Sequence, residues 1–78
     1  MRKSLEQLIE TCYDVKTHLC ISAYELHDYD DGAHADFKTQ QIANPKILCS
    51  IIGKLDYRIL SDDATIRIRI FEDYNEYD

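Results

Sequence analysis

Residues 65–70 read Thr-Ile-Arg-Ile-Arg-Ile, a strict alternation of isoleucine with polar side chains. A period of two is the side-chain period of a β-strand and is incompatible with the 3.6-residue period of a helix. The run therefore fixes a strand, expected over residues 64–71, with Ile66, Ile68 and Ile70 facing a core and Thr65, Arg67 and Arg69 facing away. Upstream, Leu55, Tyr57 and Ile59 alternate against Asp56 and Arg58, and Ser61-Asp62-Asp63 has turn composition. The simplest reading is a C-terminal β-hairpin pairing 55–60 with 64–71. A lone hairpin is marginal in water, so its isoleucine face needs apolar partners from the rest of the chain.

Two helices are expected to supply them. Asn44-Pro45 is a helix start, because Asn caps and the missing Pro N–H costs nothing in the first turn. Ile47, Leu48, Ile51 and Ile52 then form an apolar face, and Gly53 is a fitting end. Near the N-terminus, Ser4 with Gln7 has the capping-box spacing. Leu5, Leu8, Cys12, Val15, Leu19, Ser22 and Leu26 follow in steps of three and four, with no Gly or Pro before Gly32. One helix of up to about six turns fits this stripe. The competing reading ends the helix near Asp14 and makes 17–26 a strand. Residues 28–36 read as a loop around the turn signal Asp30-Asp31-Gly32, and 37–43 is ambiguous. The expected fold class is α+β: two helices packed on a small antiparallel sheet that includes the C-terminal hairpin. The 78 residues suit one domain, 1–78, with 45% hydrophobic residues excluding a disordered chain.

The charge layout carries the functional reading. Net charge is −6, from 15 acidic and nine basic residues. Segment 25–36 holds Glu25, Asp28, Asp30, Asp31 and Asp36, and segment 71–78 holds Glu72, Asp73, Glu76 and Asp78, both without a Lys or Arg. The other 58 residues hold six acids and nine bases, so a mildly basic body bears two acidic patches. Tyr24, Tyr29, Tyr74 and Tyr77 lie among these acids. Tyrosine gives large contact area at low entropic cost, and acids beside it suit arginine by charge and stacking. The expected partner-binding residues are Glu25, Asp28, Tyr29, Asp30, Asp31, Asp36, Glu72, Asp73, Tyr74, Glu76, Tyr77 and Asp78. The plainer alternative is solvated loop and tail residues kept for solubility.

Chemistry that requires a signature finds none. There is no GxSxG, HExxH or Gly-rich phosphate loop, and only two glycines exist. Asp28 to Gly32 fails as a calcium loop, since the glycine comes one place early and Thr39 stands where the bidentate Glu belongs. His27, Asp28, Asp30, Asp31, His34 and Asp36 are the densest set of metal-ligand types. Placed on a loop they read as solvent-exposed, because metal sites need a rigid scaffold. Cys12, Cys20 and Cys49 are odd in number and lack paired spacing, so they are expected as free, mostly protected thiols, with no zinc. The expectations are therefore no enzyme activity, no cofactor and no metal. Arg2 and Lys3 start like a signal peptide, but Glu6, Gln7 and Glu10 break any apolar continuation, and no stretch could span a bilayer. Cytoplasm is the expected compartment, with no membrane partner.

In size, acidity and its two Asp/Tyr-rich segments, 25–36 and 71–78, the chain resembles the small acidic inhibitors of phages and mobile elements, including anti-CRISPR and anti-restriction proteins that imitate DNA. That resemblance implies a cytoplasmic protein-binding inhibitor that occupies the basic channel of a nucleic-acid-processing effector. Two rivals stand beside it. One is a regulatory or assembly module of the host cell, as a homodimer packed through the Leu5-to-Leu26 stripe. The other is a nucleic-acid binder using Arg58, Arg67 and Arg69, against which the sequence pI near 4.8 argues.

Overall fold

A computed structural model describes residues 1–74 of the chain. The elements run α1 (Lys3–Leu19), β1 (Glu25–Tyr29), β2 (Gly32–Thr39), α2 (Pro45–Ile52), β3 (Leu55–Asp62) and β4 (Thr65–Tyr74). The four strands form one sheet in the order β1-β2-β4-β3, with every neighbouring pair antiparallel. This is the α+β arrangement anticipated from the sequence, with the C-terminal hairpin in place. Among the described residues no helix is long and apolar enough to cross a membrane.

The strand at β4 follows its alternation. Ile68 and Ile70 are fully buried, Ile66 is half-buried against them, and Arg67 and Arg69 are exposed on the opposite face. β3 pairs with it from Asp62↔Thr65 down to Leu55↔Tyr74, through a register shift between Leu55 and Tyr57. The helix α2 starts where Asn44 caps it, the side chain accepting from the Ile47 N–H at 3.3 Å. It stops at Gly53, whose φ of +67° and ψ of −125° few residues other than glycine adopt. Leu48 and Ile52 face the core, while Ile47 stays exposed.

α1 departs from the expected length. It ends at Leu19, and Cys20 takes a left-handed conformation at φ +57°. The N–H groups of Cys20 and Ile21 then donate to Thr17 O and Lys16 O, both at 3.2 Å. These two bonds close a Schellman motif, which satisfies helix-end carbonyls without the usual glycine. Neither the six-turn helix nor a strand over 17–26 is present. The capping box is also absent: Arg2 stands at the N-cap with no side-chain cap bond, and the Ser4 hydroxyl donates to Glu72 instead. The apolar stripe itself holds. Leu5, Leu8, Cys12 and Val15 are buried, and α1 lies across β2 and β4 with α2 at its side. A leucine so buried contributes about 1.5–3 kcal/mol over an exposed one. Beyond Val15 the stripe opens: Leu19 is half-buried, and Ser22 and Leu26 are exposed.

The larger correction concerns 28–36, expected as a loop. It is a β-hairpin: Tyr29 pairs with Gly32, and Asp30-Asp31 make the two-residue turn. Ala33, Ala35 and Phe37 alternate inward, each almost wholly buried. The small alanines leave room for α1 to lie close to β2, and Phe37 fills the space beneath, stacked on Tyr24 at a ring separation of 5.0 Å. The core is thus a single cluster on one face of the sheet, drawn from both helices and from β2, β3 and β4.

Candidate functional site

With the helices on one face, the other face of the sheet is left open. The registers decide what it carries, because directly paired residues share a face. β1 and β2 contribute Glu25 opposite Asp36 and His27 opposite His34. β4 adds Arg69 beside Asp36 and Phe71 beside His34. β3 adds Arg58 opposite Arg69 and Leu60 opposite Arg67. The open face therefore carries acids and histidines on β1 and on β2 as far as Asp36, and bases on β4 and β3, joined by Lys38 of β2 opposite Arg67. Asp36 and Arg69 meet across that boundary in a two-pronged ion pair, with Arg69 Nε donating to Oδ1 at 2.7 Å and its terminal nitrogen to Oδ2 at 3.2 Å. Burial raises the Asp36 carboxyl, but the bond and charge of Arg69, with His34 and His27 behind it, outweigh this and hold it below its ordinary value.

The first acidic segment is gathered on one edge. β1 is an outer strand, and its residues Glu25, Asp28 and Tyr29, with Asp30 and Asp31 at the turn, are all exposed. Tyr29, beside the turn, is 58% accessible. Tyr24 is different: it is half-buried against Phe37, and loss of solvent raises its phenol above the ordinary value. Asp28 is not wholly free, since Arg2 donates to it at 2.6 Å.

The described acids of the second segment divide. Asp73 is exposed, but Glu72 points into the protein and is 5% accessible. Its carboxylate accepts from Arg2 Nε at 2.6 Å, from the Arg2 terminal nitrogen at 2.9 Å, from the Ser4 hydroxyl and from the buried Ala33 N–H at 2.9 Å. The hydrogen bonds from Arg2 and then Ser4 hold its pKa down at about 2. Glu72 is thus an internal anchor, tying β4 to the start of α1 and to β2, and is withdrawn from the partner-binding set. The side chain of Tyr74 and all of Glu76, Tyr77 and Asp78 lie outside the described residues.

Sequence reasoning missed the histidine pairing. His27 and His34 sit directly opposite each other with ring centroids 5.1 Å apart. His27 Nε2 lies 3.7 Å and His34 Nε2 3.8 Å from the same Asp36 oxygen, and Glu25 Oε2 is 3.4 Å from His27 Nε2. The signal that could have shown this was Ala33-His34-Ala35-Asp36-Phe37, an apolar/polar alternation that puts His34 and Asp36 on one face of a strand.

The thiols are all free, as expected, but not all protected: Cys12 is buried, whereas Cys20 and Cys49 are exposed. Burial pushes the Cys12 thiol up to about 12, which makes it unreactive. A groove of about 650 Å³ runs past Cys20, Lys38 and Thr39 at the far end of the sheet. There the neighbour of Cys20 Sγ is the His18 carbonyl at 4.0 Å. No protein-family model, curated protein or solved structure matches the chain.

Proposed function

We propose that the chain is a binding protein, not a catalyst, which presents the acidic β1–β2 hairpin to a basic surface of another protein and so inhibits a nucleic-acid-processing assembly. The observation that carries this reading is the edge itself. Glu25, Asp28, Tyr29, Asp30 and Asp31 project from one hairpin stiffened by five cross-strand pairs. Carboxylates fixed on such a frame offer a Lys/Arg groove a persistent negative field, which steers association and sets register more than it adds affinity. Tyr29 among them supplies a flat ring for an arginine to stack on. The compartment that fits is the cytoplasm, where such assemblies work.

The test is capture of a basic partner from a bacterial lysate, followed by association kinetics. Asp30→Lys with Asp31→Lys alters exposed turn residues and leaves the core alone, and is expected to slow association roughly tenfold at low salt. Wild-type binding should itself weaken as salt rises. Unchanged association by the double variant would refute the acidic-edge mechanism. A second reading has its own observation: Arg58, Arg67 and Arg69 do share the open face, with Arg58 over the Phe71 ring at 5.9 Å. Its distinguishing result is a shifted oligonucleotide that is released by Arg58→Ala and Arg67→Ala.

A further inference from the structure

We propose that His27, His34 and Asp36, with Glu25 as a fourth ligand, bind one divalent transition-metal ion of the zinc class. A loop would be a poor scaffold for a metal. The hairpin removes that objection, because all four residues stand on two paired strands. Glu25↔Asp36 and His27↔His34 are adjacent rungs of the ladder on one face, so the donors occupy the corners of a small rectangle. The donor atoms of His27, His34 and Asp36 all lie within 4.8 Å of one another. Tetrahedral zinc with bonds of about 2.0–2.1 Å needs its donors about 3.3 Å apart. The separations of 3.4, 3.7 and 3.8 Å to Glu25 and Asp36 are already near that value. Closing the remaining gap is a matter of side-chain torsions, with no change of backbone.

The surroundings favour the same use. Tyr29 lies parallel to His27, at 4° with centroids 6.2 Å apart, and also borders His34 at 5.7 Å, so the two rings are held in place from the turn side. Phe71 closes the other side of His34 at 6.1 Å. Arg69 grips Asp36 as an outer-shell partner grips a ligating carboxylate. His34 and Asp36 are half-buried and Glu25 is exposed, so an ion can enter from solvent and lose only part of its water there. Two imidazoles with carboxylates select the zinc, copper, nickel and cobalt group, while calcium and magnesium prefer all-oxygen sets.

The full chain with Cys20→Ser and Cys49→Ser, which removes competing thiolates, should bind Zn²⁺ at one ion per chain by calorimetry. His27→Gln or His34→Gln should each weaken binding roughly tenfold or more, whereas His18→Gln should not, and excess Ca²⁺ or Mg²⁺ should not compete. Independently of any histidine variant, added Zn²⁺ should move the imidazole NMR signals of His27 and His34 and leave those of His18 in place. Absence of binding, wild-type affinity in either Gln variant, or movement of the His18 signals alone would overturn the assignment.

Discussion

Glu72→Ala tests how much one internal carboxylate holds together. The substitution strips the buried Ala33 N–H of its acceptor and ends the bonds from Arg2 and Ser4. A buried unpaired N–H costs about 1–3 kcal/mol. Arg2 is exposed, so solvent screens its share, and the whole loss is expected at about 2–3 kcal/mol. In a domain of this length that lowers Tm by roughly 10–20 °C. Glu72→Gln keeps an oxygen for Ala33 and loses only charge, so it should cost about 1 kcal/mol. The pH dependence has a definite sign. The Glu72 carboxyl titrates at about 2 in the folded chain, against an ordinary 4.5. A depressed folded pKa gives stability that is complete above 4.5 and lost as the pH falls from there toward 2. Urea unfolding at pH 7 and at steps down to pH 2.5 measures both effects. The gap between wild type and Glu72→Gln should narrow as the pH drops through that window. A Glu72→Ala change within about 0.5 kcal/mol of wild type at pH 7, or parallel acid profiles, would refute the anchor.

Two further outcomes are expected. A chromogenic thiol reagent should titrate two cysteines quickly in the native chain, Cys20 and Cys49, and the third, Cys12, only after denaturation; three fast thiols would contradict the burial of Cys12. Gly53→Ala should destabilise by about 1–2 kcal/mol through backbone strain alone, since a Cβ at Gly53 meets nothing within 4 Å, and thermal unfolding unchanged from wild type would contradict the helix ending given to it.

The parts of the fold that were legible in the sequence are those whose signals are local and strong. The isoleucine alternation of β4, the Asn44-Pro45 start of α2 and the Leu5-Leu8-Cys12-Val15 stripe each announce an element by side-chain pattern alone. The end of α1 was not legible, because Cys20 adopts a left-handed conformation that a non-glycine residue gives no warning of. The hairpin at 25–39 was obscured by composition. Alanine and aspartate are poor strand formers, and what makes 33–37 a strand is the fit of small residues beneath α1. The geometry of the acidic edge depends on that hairpin. Glu72 shows the limit most clearly: by sequence it belongs to an acidic run, and only the meeting of β4, β2 and the start of α1 turns it inward.

The order β1-β2-β4-β3 also says how the chain is divided. Each half is a helix followed by a hairpin, α1-β1-β2 and α2-β3-β4, and the halves meet antiparallel along their second strands, as a two-fold axis through the sheet centre would arrange them. The seam makes six residue pairs, from His34↔Phe71 to Thr39↔Ile66, and α1 lies over both of its strands. The link between halves, 40–44, contains no helix or strand. Two copies that traded second halves across this link would rebuild every strand pair and every helix contact of the single chain. The core is therefore indifferent to whether its two halves come from one molecule or two, and what favours each half's own partner is the high effective concentration at which the link 40–44 holds it.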